Sequence, residues 1–216
     1  MKKLNIIYED KEILVVNKPS KLLTVGTDKE RERTLYHEVR EYLHKKNQKV
    51  FVVHRLDKDT SGIVLFAKNP KLKELLQRDW LRYTREYRAV VEGRLPKTKD
   101  TLRFYLQEDK THHVYVSDKG LSSVTEYEVL STNSTQSLLK VRIKTGRKNQ
   151  IRASLAYIGN PIVGDKKYEA KINSLSRLGL HANKLVIKHP ITNKEMTFIS
   201  KAPKVFYLDF KDYNEE

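Results

Sequence analysis

HRLDKDTSGIVLFAK, residues 54–68, joins two apolar runs, Val50 to Val53 and Ile63 to Ala67, both of strand type. The nine residues 54–62 between them exceed what a tight hairpin needs, and seven of the nine carry polar side chains. A polar loop between buried strands is where a rigid scaffold presents functional groups. Asp59-Thr60-Ser61-Gly62 is ordinary turn chemistry, with side chains bonding nearby backbone and glycine permitting positive φ. That leaves Arg55 and Asp57 to be explained. On residue types alone three chemistries compete. Asp57 and Asp59 could form a carboxylate pair for glycoside hydrolysis, although two positions of separation in a loop do not define the distance required. They could bind a divalent metal, but adjacent His112 and His113 would face opposite ways on a strand, and no other ligand cluster is visible. A single Asp could act as nucleophile or base, kept ionised by a nearby Arg.

Outward from the loop, the 216-residue chain carries 43 Lys+Arg against 27 Asp+Glu, a net charge of +16, and no cysteine. Disulfide frameworks, thiolate zinc sites and cysteine nucleophiles are excluded. No stretch approaches the ~20 apolar residues of a membrane span, and the run Leu4 to Tyr8 is too short for a signal peptide, so a cytoplasmic protein is expected. The charge is uneven. Acidic residues stop at Glu128 and resume at Asp165, and within that window lie Lys140, Arg142, Lys144, Arg147, Lys148 and Arg152. Leu139, Val141 and Ile143 alternate with the first three, which predicts a half-buried strand with one cationic, anion-facing surface. No strongly amphipathic basic helix points to a membrane, so nucleic acid is the expected polyanion.

The spacing of Leu35, Val39 and Leu43 predicts a helix over 34–46 capped by Thr34. Asn69-Pro70 opens a second, with Leu72, Leu75, Leu76 and Trp80 on its buried side. Gln150 to Ile158 is a third, stopped by Gly159. Glu12 to Val16, Glu86 to Val91, Thr101 to Leu106, His113 to Val116, Val124 to Leu130 and Ser137 to Thr145 read as strands, and Leu185 to Ile187 with Met196 to Ile199 as a hairpin. Asn17-Lys18-Pro19 reads as a turn. Many strands joined by short turns with few helices give an α+β fold with a largely antiparallel mixed sheet, expected as one domain over 1–216.

The 54–68 string closely resembles the signature of the RluA family of RNA pseudouridine synthases. EDKEILVVNKPS (9–20), REYRAVVEG (85–93), TGRKNQIRASLAYIGNPIVGDKKY (145–168) and RLGLHANKLVIKHP (177–190) resemble further blocks of that family, in family order and across nearly the whole chain. The resemblance implies the pseudouridine synthase fold, with a catalytic cleft across the sheet. It implies isomerisation of uridines in ribosomal or transfer RNA by base flipping, with no cofactor and no metal. Asp57 would be the catalytic aspartate, Tyr87 the tyrosine that stacks on the base, and Arg152 the cation paired with Asp57. Arg55 would help displace the target base, since a planar cation can stack in its place. Lys18, Arg147 and Lys148 are expected near phosphate, and His54, Thr60, Ser61 and Gly62 are expected to shape the loop. The region 95–123 is expected to grip the RNA. No DNA or membrane partner is expected, and a monomer is the default. Two positions depart from the pattern: Asn149 replaces a usual histidine and Lys21 a usual glycine. They keep alive an RNA-binding protein with weak or absent catalysis, and a hydrolase acting on a polyanion is the third class.

Overall fold

The computed structural model describes residues 4–26, 30, 32–210 and 213. In chain order the elements are β1 (Ile6–Glu9), β2 (Ile13–Lys18), α1 (Leu35–His44), β3 (Phe51–Val52), β4 (Ser61–Ala67), α2 (Pro70–Arg78), β5 (Thr84–Glu92), β6 (Lys99–Glu108), β7 (Val114–Val116), β8 (Leu121–Thr132), β9 (Gln136–Ile143), α3 (Gln150–Tyr157), β10 (Leu180–Lys188) and β11 (Glu195–Ile199). They group into two compact units, one running to residue 84 and joined by 182–200, the other formed by 85–181 and the residues from 201 on.

In the first unit the strand order is β1-β2-β4-β10, with β3 added to β4 and β11 to β10. Every residue of β4 is buried, which is why its sequence runs apolar without alternation. One of its faces joins Ile13, Val15, Ile63, Leu65, Leu72, Leu76, Leu185 and Phe198 in a core closed by α2. Asn69 caps α2 by accepting from the Lys71 N–H at 2.8 Å, and Thr34 caps α1 by accepting from the His37 N–H at 3.1 Å. Trp80 lies just beyond α2, in a 3-10 turn, half-buried against the same core. The β2–β4 register sets Lys18 opposite Gly62, so the exit of β2 and the entry of β4 meet where the 54–61 loop emerges. Gly62 has φ +114°, and a Cβ there would lie 2.2 Å from the Ala182 carbonyl oxygen, so the approach of β10 requires glycine. Two sequence expectations change here. Asn17 and Lys18 belong to β2 rather than to a turn, and Ile6–Glu9, too short to read as a strand alone, pairs with β2.

In the second unit the order is β5-β9-β8-β6-β7, all antiparallel. Ala89, Val91, Leu102, Leu139 and Val141 face Ile151 and Leu155 of α3, while Val90 and Leu138 on the opposite face pack on Phe206 and Phe210. The 95–123 region is mostly regular strand, with β6 paired to both β7 and β8. Gly159 follows α3 at φ +82°, in the left-handed cap expected of it.

Candidate active site

The 54–60 loop is fastened at its root and on both sides of Asp57. His54 Nε2 accepts the Leu65 N–H at 3.0 Å, which places the ring proton on Nδ1, and its ring stacks on Trp80 at 4.2 Å. Thr24 Oγ1 donates to the Leu56 carbonyl at 2.7 Å and accepts the Leu56 N–H at 3.1 Å. Ser20 Oγ donates to the Asp59 carbonyl at 2.7 Å. Lys18 Nζ donates to the carbonyls of Pro19 (3.0 Å), Leu22 (2.6 Å) and Lys58 (2.9 Å). The residues immediately before and after Asp57 are thus held by side chains of the 18–24 segment. Thr60 and Ser61 are buried with the loop's exit, in keeping with a shaping role.

This overturns the phosphate reading of Lys18. Its side chain is fully buried at 0% exposure, so it reaches no polyanion. A buried ammonium must be compensated, and here carbonyl oxygens compensate it. Arg55 behaves in the opposite way. It is exposed, and no hydrogen bond or ion pair to a described residue, Asp59 included, holds it. Asp57 itself is half-buried. The departure at Lys21 is also accounted for: φ is +66°, the left-handed region that explains the usual glycine, and the side chain points into solvent.

In the second unit Tyr87 lies on β5 opposite Val141 and packs, half-buried, against the cluster containing Ile151 and Leu155. Two residues earlier, Arg85 is buried and donates at 3.1 Å to each of the carbonyls of Ile143, Lys144 and Thr145. Burial lowers its pKa from the usual guanidinium value. Gln150 finishes the turn: its Oε1 accepts from Thr145 Oγ1 (2.7 Å) and the Arg147 N–H (3.0 Å), and its Nε2 donates to the Val124 carbonyl (3.0 Å). Asn149 occupies the left-handed region at φ +48°, which asparagine tolerates better than most residues. Its Oδ1 accepts from Arg152 Nη1 at 3.3 Å. Arg152 is 7% exposed, and its Nε and Nη2 donate to the two oxygens of Asp165, each at 2.7 Å. Its guanidinium lies 5.2 Å from the centre of the Tyr168 ring. Burial pushes the Tyr168 hydroxyl up to about 12, and it donates to the Val114 carbonyl at 2.9 Å.

Asp165 was not singled out as a site residue by sequence reasoning. A signal existed, since it is the carboxylate that ends the acid-free window. That window is acid-free only along the chain. Lys140 pairs with Glu128, Arg142 with Glu86 at 3.1 Å, Lys144 with Glu126 at 3.3 Å, and Lys148 with Glu108. The β8–β9 register sets Glu128 directly opposite Lys140 and Glu126 opposite Arg142, while β5 brings Glu86 opposite Arg142 from the other side. The expected cationic strand face is therefore a ladder of alternating charge, because strand pairing imports the carboxylates the window lacks. Lys148 shares its charge with Glu108, whereas Arg147, exposed and held by one bond from Nε to the Ser122 carbonyl (3.0 Å), keeps a cationic surface.

Among the described residues one grouping has the composition of a metal site, Asp10, Glu12 and His189. His189 Nδ1 accepts the N–H groups of Ile191 (3.3 Å) and Thr192 (3.1 Å), so Nε2 carries the ring proton and donates to Asp10 at 3.1 Å. The Nδ1 lone pair is engaged by these backbone N–H groups and Nε2 carries the proton, so the grouping acts as a loop brace.

An Asp-bearing loop braced on both sides, a buried arginine in a carboxylate clamp and an α+β fold of antiparallel sheet define the class: residues 12–157 match the RNA pseudouridylate synthase family, and the chain belongs to it. It is an RNA pseudouridine synthase, an isomerase. Particular relatives cover nearly all of it. An uncharacterised RNA pseudouridine synthase of Bacillus subtilis, YhcT, is 35% identical over 97% of this chain and 70% of its own length. The ribosomal large subunit pseudouridine synthase D of Escherichia coli K12 is 32% identical over 99% of this chain and 73% of its own. Human RNA pseudouridylate synthase domain containing 1 shares the fold, with a TM-score of 0.76 and 24% identity over 94% of this chain and 84% of that one.

Proposed function

We propose that the protein converts uridines of ribosomal RNA to pseudouridine with Asp57 as the catalytic aspartate and without a metal or cofactor. The observation that carries the reading is the HRLD loop, fastened on both sides of Asp57, in a chain whose family model spans it. The uridine is flipped out of its stack, a step that costs a few kcal/mol. Exposed Arg55 offers a planar cation for the vacated space. Asp57 attacks the nucleotide, at the sugar or on the pyrimidine ring, the C1′–N1 bond breaks, and the uracil turns and rejoins through C5 as the bond to Asp57 breaks and its carboxylate is released. A C1′–C5 bond forms, the C5 proton leaves, and N1 gains one, so the sum is an isomerisation. Tyr87 stacks on the base and takes part in removing the C5 proton. Arg152 keeps Asp57 ionised, as a neighbouring guanidinium does, and Arg147 contacts phosphate. The choice of ribosomal over transfer RNA is supported by relatives named for the large ribosomal subunit. The two units are read as one catalytic domain acting as a cytoplasmic monomer, with RNA rather than DNA or membrane as partner. Incubation with ribosomal RNA carrying tritium at C5 of uridine tests it: the native chain releases tritium, and Arg152→Ala loses turnover while keeping RNA affinity. Normal turnover in Arg152→Ala would remove the assignment of that residue.

A further inference from the structure

We propose that the outer face of β6, β7 and β8 is a second RNA-binding surface, a platform on which Tyr105 and Tyr115 stack unpaired bases of the substrate away from the target uridine. The proposal rests on the family's RNA substrate and on no role assigned to Asp57, Arg152 or Tyr87. Leu102 and Leu106 of β6 are buried on the side of α3 and Tyr168, so Arg103, Tyr105 and Gln107 project from the opposite face. Tyr87 packs on the α3 side, which puts the platform on the far face of the sheet from it.

The strand register gathers four side chains there. Gln107 stands opposite Tyr115, and Ser117, whose N–H donates to the Tyr105 carbonyl at 2.9 Å, stands opposite Tyr105. The Ser117 hydroxyl donates to Gln107 Oε1 at 2.9 Å along one diagonal, and the two tyrosines occupy the ends of the other. Diagonal neighbours on paired strands lie about 7–8 Å apart, so a polar pair sits between the rings. Both rings are open to solvent, Tyr105 at 54% and Tyr115 at 39% exposure. No hydrogen bond or ion pair to a described residue engages either phenol, the Arg103 guanidinium or the Gln107 amide nitrogen. The surroundings favour an anionic strand as the occupant. Residues 103–107, 114–117 and 119–125 contain no carboxylate but include Arg103 and Lys119, and the first glutamate of β8, Glu126, already pairs with Lys144 at 3.3 Å. A protein-docking patch would be a contiguous apolar area, whereas these rings are islands among Ser, Gln and Arg. Flat rings beside a guanidinium and free amide donors suit unpaired bases, which stack on sheet aromatics and are read at their edges. β7 ends the sheet, so the strand has an open approach.

The test follows the fluorescence anisotropy of a labelled ten-nucleotide strand of cytidines, which offers the active site no uridine. Tyr105→Ala and Tyr115→Ala are each expected to weaken binding by about fivefold to 100-fold, while Tyr105→Phe and Tyr115→Phe, which keep the ring, change it by less than about twofold. Arg103→Ala should weaken binding and make its salt dependence shallower by about one phosphate contact. On ribosomal RNA the double alanine variant should raise KM about tenfold at unaltered kcat, because stacking remote from the reacting uridine is felt equally in ground and transition states. No binding of the cytidine strand by the native chain, native affinity in the double alanine variant, or equal losses with phenylalanine and alanine would overturn the proposal. So would sedimentation showing that the native chain self-associates and the double alanine variant does not, with RNA affinity the same in both; the face would then join two copies. If the native chain releases no tritium from ribosomal RNA but the tyrosine losses on the cytidine strand appear, the proposed reaction fails and the platform stands.

Discussion

Lys18 and Lys21 are close in sequence and are used in opposite ways. Lys18 spends its charge entirely inside the protein, on the carbonyls of Pro19, Leu22 and Lys58. Replacing it by methionine leaves these acceptors without their donor, and an unsatisfied buried group costs about 1–3 kcal/mol. Lys18→Met is therefore expected to lower stability by about 3 kcal/mol in urea denaturation and to reduce kcat through the loosened 56–59 backbone; unaltered stability would show that the brace is dispensable. Lys21 contributes nothing comparable and sits at φ +66°. A left-handed non-glycine residue costs roughly 1–2 kcal/mol, partly offset by the greater chain entropy of glycine. Lys21→Gly should raise the Tm by up to about 4 °C, and a lower Tm would contradict the strain argument. Neither role could be read from the sequence. Lys18 looked like a phosphate contact because its type and loop position fit one, and burial is set by strand pairing with residues far along the chain.

At the scale of elements, β9 shows what periodicity reveals and what it hides. The alternation of Leu139 and Val141 with Lys140 and Arg142 correctly predicted a strand buried on one face. It gave no information about the neighbours, and β8 and β5 supply a glutamate to each of these cations. Lys140→Ala and Arg142→Ala should consequently change RNA affinity by less than about twofold in filter binding, since paired rim charges contribute little, while Arg55→Ala and Arg147→Ala weaken it clearly. Equal losses at all four positions would restore the cationic-face reading. The ladder also sets a pH dependence. Hydrogen bonds from Lys140 and Lys99 hold the Glu128 carboxyl at about 2. Burial would raise Glu9, but hydrogen bonds from Lys68, Tyr42 and Lys46 outweigh it and bring it also to about 2. Both folded values lie below the unfolded value of about 4.3, so the stability they provide is complete above about pH 5 and is lost as pH falls toward 2. Urea midpoints measured across that window should drop, and Glu9→Gln with Glu128→Gln should flatten the drop; an unchanged slope would contradict the assignment. Helices α1 and α2 were legible down to their caps because Thr34 and Asn69 act locally. Strand β1 was not, because only its pairing with β2 makes it one.

For the molecule as a whole, the +16 charge has separate destinations. Lys18 and Arg85 are internal ties to backbone carbonyls, Arg152 is locked to Asp165, the β9 cations are paired across strands, and Arg55 and Arg147 remain outward-facing. The salt dependence of RNA binding should thus be much shallower than the net charge suggests, because its slope counts phosphates neutralised rather than formal charge. The family, the α+β class and the position of the Asp57 loop were readable from ordered sequence blocks. The braces around Asp57 and the clamp on Arg152 were not, because each joins residues the sequence separates: Lys18 to Lys58, Thr24 to Leu56, Arg152 to Asp165. The proposed reaction has a direct readout. Ribosomal RNA labelled with tritium at C5 of uridine is incubated with the native chain and with Asp57→Ala. The account predicts tritium release by the native chain and none by Asp57→Ala, with RNA affinity retained in both. Equal release by the two proteins, or none from the native chain while it binds the RNA tightly, would contradict it.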